Sequence, residues 1–402
     1  MSLLAQSGYG RADKVDRGLD ENLIYGVIMS PRDELPTRIE NDISQLRSDF
    51  PEAEILFDPQ FYAATLINPR DGRLPDYTYY ANHSALGRAQ FSPSRIQRIV
   101  RECLDYQHDV LGDGLSYLVS PTVFFDDFRD SWSQIAISLA SASVDYHATL
   151  EDPPPLLLTV AVAEGAFHDI DAVEEFLDAI TELDVNGFYL VVRRNSPTAE
   201  LAMEPRPFAH LMYFAYVLAE INQYLVISGF TDWCGYLLKA VNVDYVASGW
   251  FQNLRKFSLA RFTPSSGGRQ PRPRYSSVPL YSNPLIIPEM EDIYLAGLLP
   301  DVLSGSQHDN LLQAGPSKGN AQWTKDVECF AHWYSLSSLL DSLDSIGPVA
   351  TRLKHCEASI ASSQTLYDRL SQAAVYFEPP TGPAHLELWL DSITEFRALA
   401  NI

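Results

Sequence analysis

Hydrophobic residues in this chain fall into short unbroken runs, each followed by a stretch in which they recur every three or four positions. The runs are 23–29 (LIYGVIM), 53–57 (AEILF), 117–120 (YLVS), 156–163 (LLLTVAVA), 187–192 (GFYLVV), 224–228 (YLVIS) and 243–247 (VDYVA). Between the first two, Leu35, Ile39, Ile43 and Leu46 keep helical spacing, and before the third Ile96, Ile99, Val100 and Leu104 share one helical face. The runs do not alternate with polar residues, so both faces of each strand are expected to be covered, as in a parallel sheet wrapped by helices. Seven strand-helix units over about 240 residues predict an α/β fold, a closed (β/α)8 TIM-like barrel rather than an open doubly wound sheet. The eighth strand is expected at 285–287 (LII). Its flanking Pro284 and Pro288 leave an edge strand or a loop as the alternative, because proline removes a ladder donor.

The pattern divides the chain into a 1–22 N-terminal extension and a 23–300 barrel with an insertion at 61–93 and a basic loop at 251–288. A polar, glycine-containing linker at 301–322 and a C-terminal all-helical domain at 323–402 complete the division. In the last of these, helices are expected over 323–343, 349–375 and 383–400, broken at Gly347-Pro348 and at Pro379-Pro380. This tail is expected to pack on the barrel or to mediate a protein partner or self-association.

Composition narrows the function classes. The 402 residues are 46% hydrophobic and 20% charged, enough to bury a core rather than stay disordered. The 52 acidic and 29 basic residues give a formal charge of -23, which argues against broad non-specific binding to nucleic acid or an anionic membrane. Any anion site must be local. The first 22 residues lack an apolar core of signal-peptide length, and the longest apolar run is too short to span a bilayer. Four scattered cysteines make no disulfide framework. A soluble, cytoplasmic protein is the expectation, and the cofactor is left unknown.

In a barrel, chemistry sits at the carboxyl ends of the strands. Those ends carry Ser30 and Asp33, Asp58 and Gln60, Ser120 and Asp126, Glu164, Arg193 and Arg194, Ser228 and Asp232, and Ser248 and Trp250. Asp58 (FDPQFY) and Glu164 (AVAEGAF) are the candidate acid and base, since two carboxylates at one mouth can divide those roles; turn formation and loop capping are their structural alternatives. Arg193 is a candidate for holding a phosphate or carboxylate, with an ion pair from the Arg193-Arg194 doublet to an acid such as Glu164 as the alternative. Ser228 and Ser248 complete the ligand-facing set.

Positions 251–288 contain no Asp or Glu and six basic residues, Arg255, Lys256, Arg261, Arg269, Arg272 and Arg274. The strip SSGGRQPRPRYSS within it could offer Arg269, Arg272 and Arg274, with backbone amides, to an anion. It follows the seventh predicted strand, near where barrels often bind phosphate; the alternative is a docking strip. The insertion carries Tyr77, Tyr79, Tyr80, Asn82, His83 and Arg88, either a cover for a ligand or a packed loop, and His83 is a candidate general base. Cys329-x-x-His332 with His355-Cys356 does not make a credible zinc set, because adjacent residues on a helix cannot both turn to one ion.

The run at 224–253, YLVISGFTDWCGYLLKAVNVDYVASGWFQN, resembles the matching part of tRNA-guanine transglycosylases, barrel enzymes with a glycine turn, a helix and a Val-Asp-aromatic strand there. Where that family has a nucleophilic aspartate this chain has Ser248-Gly249, and the family's clustered zinc cysteines are missing. The resemblance, under a tenth of the chain, implies a barrel and brings no reaction with it. The sequence therefore leads to a barrel that binds a phosphorylated small molecule, nucleotide or nucleic-acid end at its carboxyl face, with an enzymatic reaction left open. The alternative is a non-catalytic barrel subunit of an assembly.

Overall fold

The computed structural model describes residues 2–67, 69, 70, 72–81, 83, 85–194, 203–264 and 271–402. Its strands are β1 (Leu3–Gln6), β2 (Gly26–Met29), β3 (Glu54–Phe57), β4 (Leu118–Val119), β5 (Leu156–Ala163), β6 (Gly187–Arg193), β7 (Leu225–Gly229) and β8 (Tyr245–Ser248). Every ladder is parallel and the order is 3-2-1-8-7-6-5-4, so the strands follow one another around a ring. Between them lie α1 (Lys14–Asp20), α2 (Pro36–Asp49), α3 (Pro93–Asp105), α4 (Ser131–His147), α5 (Ile170–Thr181), α6 (Pro205–Tyr216) and α7 (Gly235–Ala240). This is a nearly closed (β/α)8 barrel. At the seam between β3 and β4 the Ser116 amide donates to Ile55 O at 2.9 Å and the Ile55 amide to Ser116 Oγ at 3.0 Å. Gln107 stands in for a missing neighbour beside the two-residue β4: its side chain donates to Val119 O at 2.8 Å and accepts from the Val119 amide at 2.9 Å. Backbone groups that a full ladder would pair are thereby satisfied.

The eighth strand is not at 285–287. Ile287 is extended (φ -129°, ψ 123°) but pairs with no barrel strand, Leu285 makes only an isolated antiparallel bridge to Arg274, and the Leu285 amide is taken by Glu289 Oε2 at 2.6 Å. The missing strand is β1, inside the stretch the sequence presents as an extension. Leu4 is in register with Gly26 of β2 on one side and Ala247 of β8 on the other. Four residues are too few to show periodicity, and what holds them is pairing along both edges with full burial of Leu3, Leu4 and Ala5. Gly26 is required beside this strand because a Cβ there would lie 2.0 Å from Glu54 O of β3.

Among the described residues no ladder strand follows β8. Short helices α8 (Glu291–Leu295), α9 (Leu299–Val302) and α10 (Pro316–Gly319) lead to α11 (Lys325–Asp341), α12 (Val349–Gln372) and α13 (Ala384–Ala400). The last three lie close to the spans expected from spacing. Thr324 caps α11, accepting from the Val327 amide at 3.2 Å. α11 stands against β1 and α7, α12 against α7, and α13 along α6. Trp333 and Trp389, both fully buried, belong to the same continuous core as the barrel strands. No described helix is long and apolar enough to cross a membrane.

Candidate functional site

The basic segment after β8 folds back over the barrel. Phe257 forms a parallel bridge with Arg193 at the end of β6, and its carbonyl accepts from the Arg194 amide at 3.4 Å. This brings the fully buried Phe257 ring into the mouth, within 5.1 Å of the Tyr62 ring, 5.3 Å of Phe230 and 6.4 Å of Phe124, with Phe262 beside Tyr62 at 5.8 Å. Charged groups stack on this aromatic plug: Arg193 over Phe124, Arg261 over Phe230 and Arg32 over Phe262.

Asp58 is buried at the end of β3. Its carboxylate accepts from the Gln60 amide at 3.0 Å, Tyr62 Oη at 2.8 Å and Tyr189 Oη at 3.3 Å. Tyr189 reaches it across Gly229, where a Cβ would meet the tyrosine ring at 2.6 Å. Burial pushes the Asp58 carboxyl up to about 6, against the pull of those three donors. Glu164 has a different partner: Arg194 Nε donates to its Oε2 at 2.8 Å, and both side chains are about nine-tenths buried. The two carboxylates are thus held by separate sets of donors, Asp58 by tyrosines and Glu164 by a guanidinium.

The remaining candidates are dispersed. His83 lies between the insertion and α3, fully buried, its Nε2 3.0 Å from Glu102 and its ring against Phe61, with burial lowering its proton affinity. Tyr77 and Tyr79 are buried, donating to Glu34 O and Pro59 O at 2.9 Å each, so this part of the insertion is packed structure. Arg193 pairs with Asp126 at 2.6 Å. Ser228 Oγ lies 2.9 Å from Thr231 Oγ1. Ser248 Oγ lies 3.0 Å from Nε2 of His332, whose Nδ1 is 3.0 Å from Ser276 Oγ. Arg272 binds Glu378 at 2.7 Å, and Arg274 donates to Asn283 O at 2.8 Å. Arg269 lies outside the described residues, as does Asn82. Arg255 is buried with Nε on Gly249 O at 3.1 Å, while its Nη1 and Nη2 have no hydrogen-bond partner.

What the structure does assemble is an open cleft of about 980 Å³ to one side of the plug, beyond the carboxyl ends of β1, β2 and β8. Arg32, Arg70, Lys256, Arg261 and Lys325 line it against two carboxylates, Asp33 and Glu328, and Tyr9, Trp250, Phe251 and Trp323 supply rings. Asp33 accepts from Arg32 Nη1 at 2.7 Å and from Arg261 Nη2. Gln60, in a left-handed backbone conformation (φ 52°), ties the β2 and β3 loops: its Nε2 donates to Ser30 Oγ at 2.9 Å and its Oε1 accepts from the Arg32 amide at 3.2 Å. Burial, with the nearby Arg261 and Arg70 charges, lowers the Arg32 pKa against the opposing pull of Asp33.

No known family model matches the chain, and no curated protein matches it. The cleft therefore rests on its own geometry. Arg32 was open to detection from sequence, since it stands between Ser30 and Asp33 at a strand end; Tyr9 was not, because β1 was hidden, and Lys325 comes from a helix almost 80 residues after β8.

Proposed function

We propose that the protein binds a phosphorylated small molecule, foremost a nucleotide or a nucleic-acid end, in the cleft beside β1, β2 and β8. The observation that carries this reading is local charge: among the described residues five cationic side chains and two carboxylates line a cavity in a chain of formal charge -23. Guanidinium forks match phosphate oxygens, and the half-exposed Phe251 and exposed Tyr9 offer rings to a base. Strand ends are where barrels take ligands. The four buried free thiols suit a reducing, cytoplasmic setting.

Calorimetric titration with the four ribonucleoside 5′-monophosphates tests the reading. Binding should weaken by more than about tenfold in an Arg70→Ala/Lys325→Ala variant and should weaken with added salt. Absence of binding, or binding indifferent to both changes, rejects it. The second reading, a non-catalytic subunit of an assembly, draws support from the aromatic plug, which fills the place where a barrel enzyme keeps its reacting groups. It calls for a stable stoichiometric complex in which nucleotides change neither affinity nor stability.

A further inference from the structure

Arg32, Asp33, Arg70 and Arg261 line the cleft close enough for the other three to act on Arg32 electrostatically, and the charge of this group is out of balance. Asp33 is shared: one oxygen takes Arg32 Nη1 and the other takes Arg261 Nη2, so each arginine spends a single nitrogen on it. Arg261 also donates to Ser30 Oγ at 3.3 Å, and its side chain is nine-tenths buried, yet among the described residues its Nη1 has no hydrogen-bond partner, nor has Arg32 Nε. Arg70 is exposed on the same wall and makes no ion pair among the described residues. Three guanidiniums therefore face one carboxylate. Asp58 also senses the charge of Arg261, but among the described residues of the cleft the excess is at least two positive charges whether Asp58 is ionised or neutral. Unpaired guanidinium donors that are removed from water are costly unless an acceptor arrives.

The geometry points to a subsite for a phosphate monoester dianion, a terminal phosphate rather than an internal phosphodiester, with Asp33 holding the two inner arginines apart so that they and Arg70 converge on it. This rests on the reading of the cleft as a phosphate site and sharpens it to one chemical class. A terminal phosphate offers three unesterified oxygens and close to two negative charges at pH 7.5, which suits three guanidiniums; a diester offers two such oxygens and one charge, leaving an arginine unmatched.

The experiment compares each ribonucleoside 5′-monophosphate with its 3′,5′-cyclic counterpart, which keeps base and sugar but carries a single charge. The expected result is that the 5′-monophosphates bind at least about tenfold more tightly at fixed ionic strength. Arg70→Ala, at an exposed side chain, should erase most of that preference by weakening the monophosphate more than the cyclic form. Equal affinity for the two forms, or a preference unchanged in Arg70→Ala, overturns the dianion subsite while leaving a phosphate-binding cleft. Failure of both forms to bind removes the underlying reading and the subsite with it.

Discussion

Arg194 donates through Nε to Glu164 Oε2 at 2.8 Å, joining the carboxyl ends of β6 and β5 by an ion pair that is almost wholly removed from water. Opening such a pair from one side leaves Arg194 buried with only the weak contact of its Nη1 to Cys234 Sγ at 3.8 Å, and that loss outweighs the net worth of the intact pair. Glu164→Gln is therefore expected to destabilise the fold by about 3 kcal/mol. Pairing it with Arg194→Met should recover much of the loss. Chemical denaturation of the two variants checks this, and an unchanged midpoint for the single variant would show that Arg194 is otherwise satisfied.

Asp58 should make stability depend on pH in an unusual direction. Its carboxyl, held at about 6 by burial, keeps a proton in the folded chain that the unfolded chain releases near pH 4. The folded state binds more protons between those values, so this contribution to stability falls as pH rises from about 4 to about 6. Asp58→Asn removes it. The stability of the variant relative to wild type should rise by up to about 3 kcal/mol between pH 4 and pH 7.

His332 works in the opposite sense. Full burial, with the Arg255 charge adding to it, keeps the imidazole neutral far below its usual titration range. The unfolded chain takes up a proton near pH 6.5 that the folded chain refuses, so stability present above that pH is lost as pH falls below it. His332→Gln, which can still meet Ser248 and Ser276, should lose less stability than wild type on going from pH 7 to pH 5. Urea titrations at the two pH values measure the difference.

Two arginines, Arg70 in the cleft lining and Arg272 outside it, separate ligand binding from internal docking. Arg272 is half-exposed and already engaged with Glu378, so Arg272→Ala should cost no more than about 1 kcal/mol and leave nucleotide affinity unchanged. Arg70→Ala should leave stability unchanged and weaken nucleotide binding by about tenfold. The reverse pattern would move the anion site to the strip around Arg272.

Deletion of residues 2–7 should abolish cooperative folding, although these residues look dispensable in sequence. They form β1, whose removal would leave β2 and β8 as open edges and take Leu3 and Leu4 out of the core. A sharp unfolding transition by circular dichroism in the truncated chain would contradict the central place of β1.

Seven barrel strands and the three long C-terminal helices are legible in the sequence, because continuous apolar runs and helical spacing are local records of burial on both faces or on one. It also marked the segment after β8 as exceptional, since a stretch of 38 residues without a carboxylate is visible in one dimension. Tertiary structure alone decided the rest. Leu3–Gln6 is a strand through pairing with partners more than 20 and 240 residues away, which no short window contains. Asp58 and Glu164 do follow directly on β3 and β5, but whether a carboxylate is open, clamped by Arg194 or buried among tyrosines depends on what the chain brings back to it. The same return of the chain put Phe257 into the barrel mouth and moved the open cationic surface to its side, where residues from β1, β2, β8 and the start of α11 meet only because a closed ring makes its first and last strands neighbours.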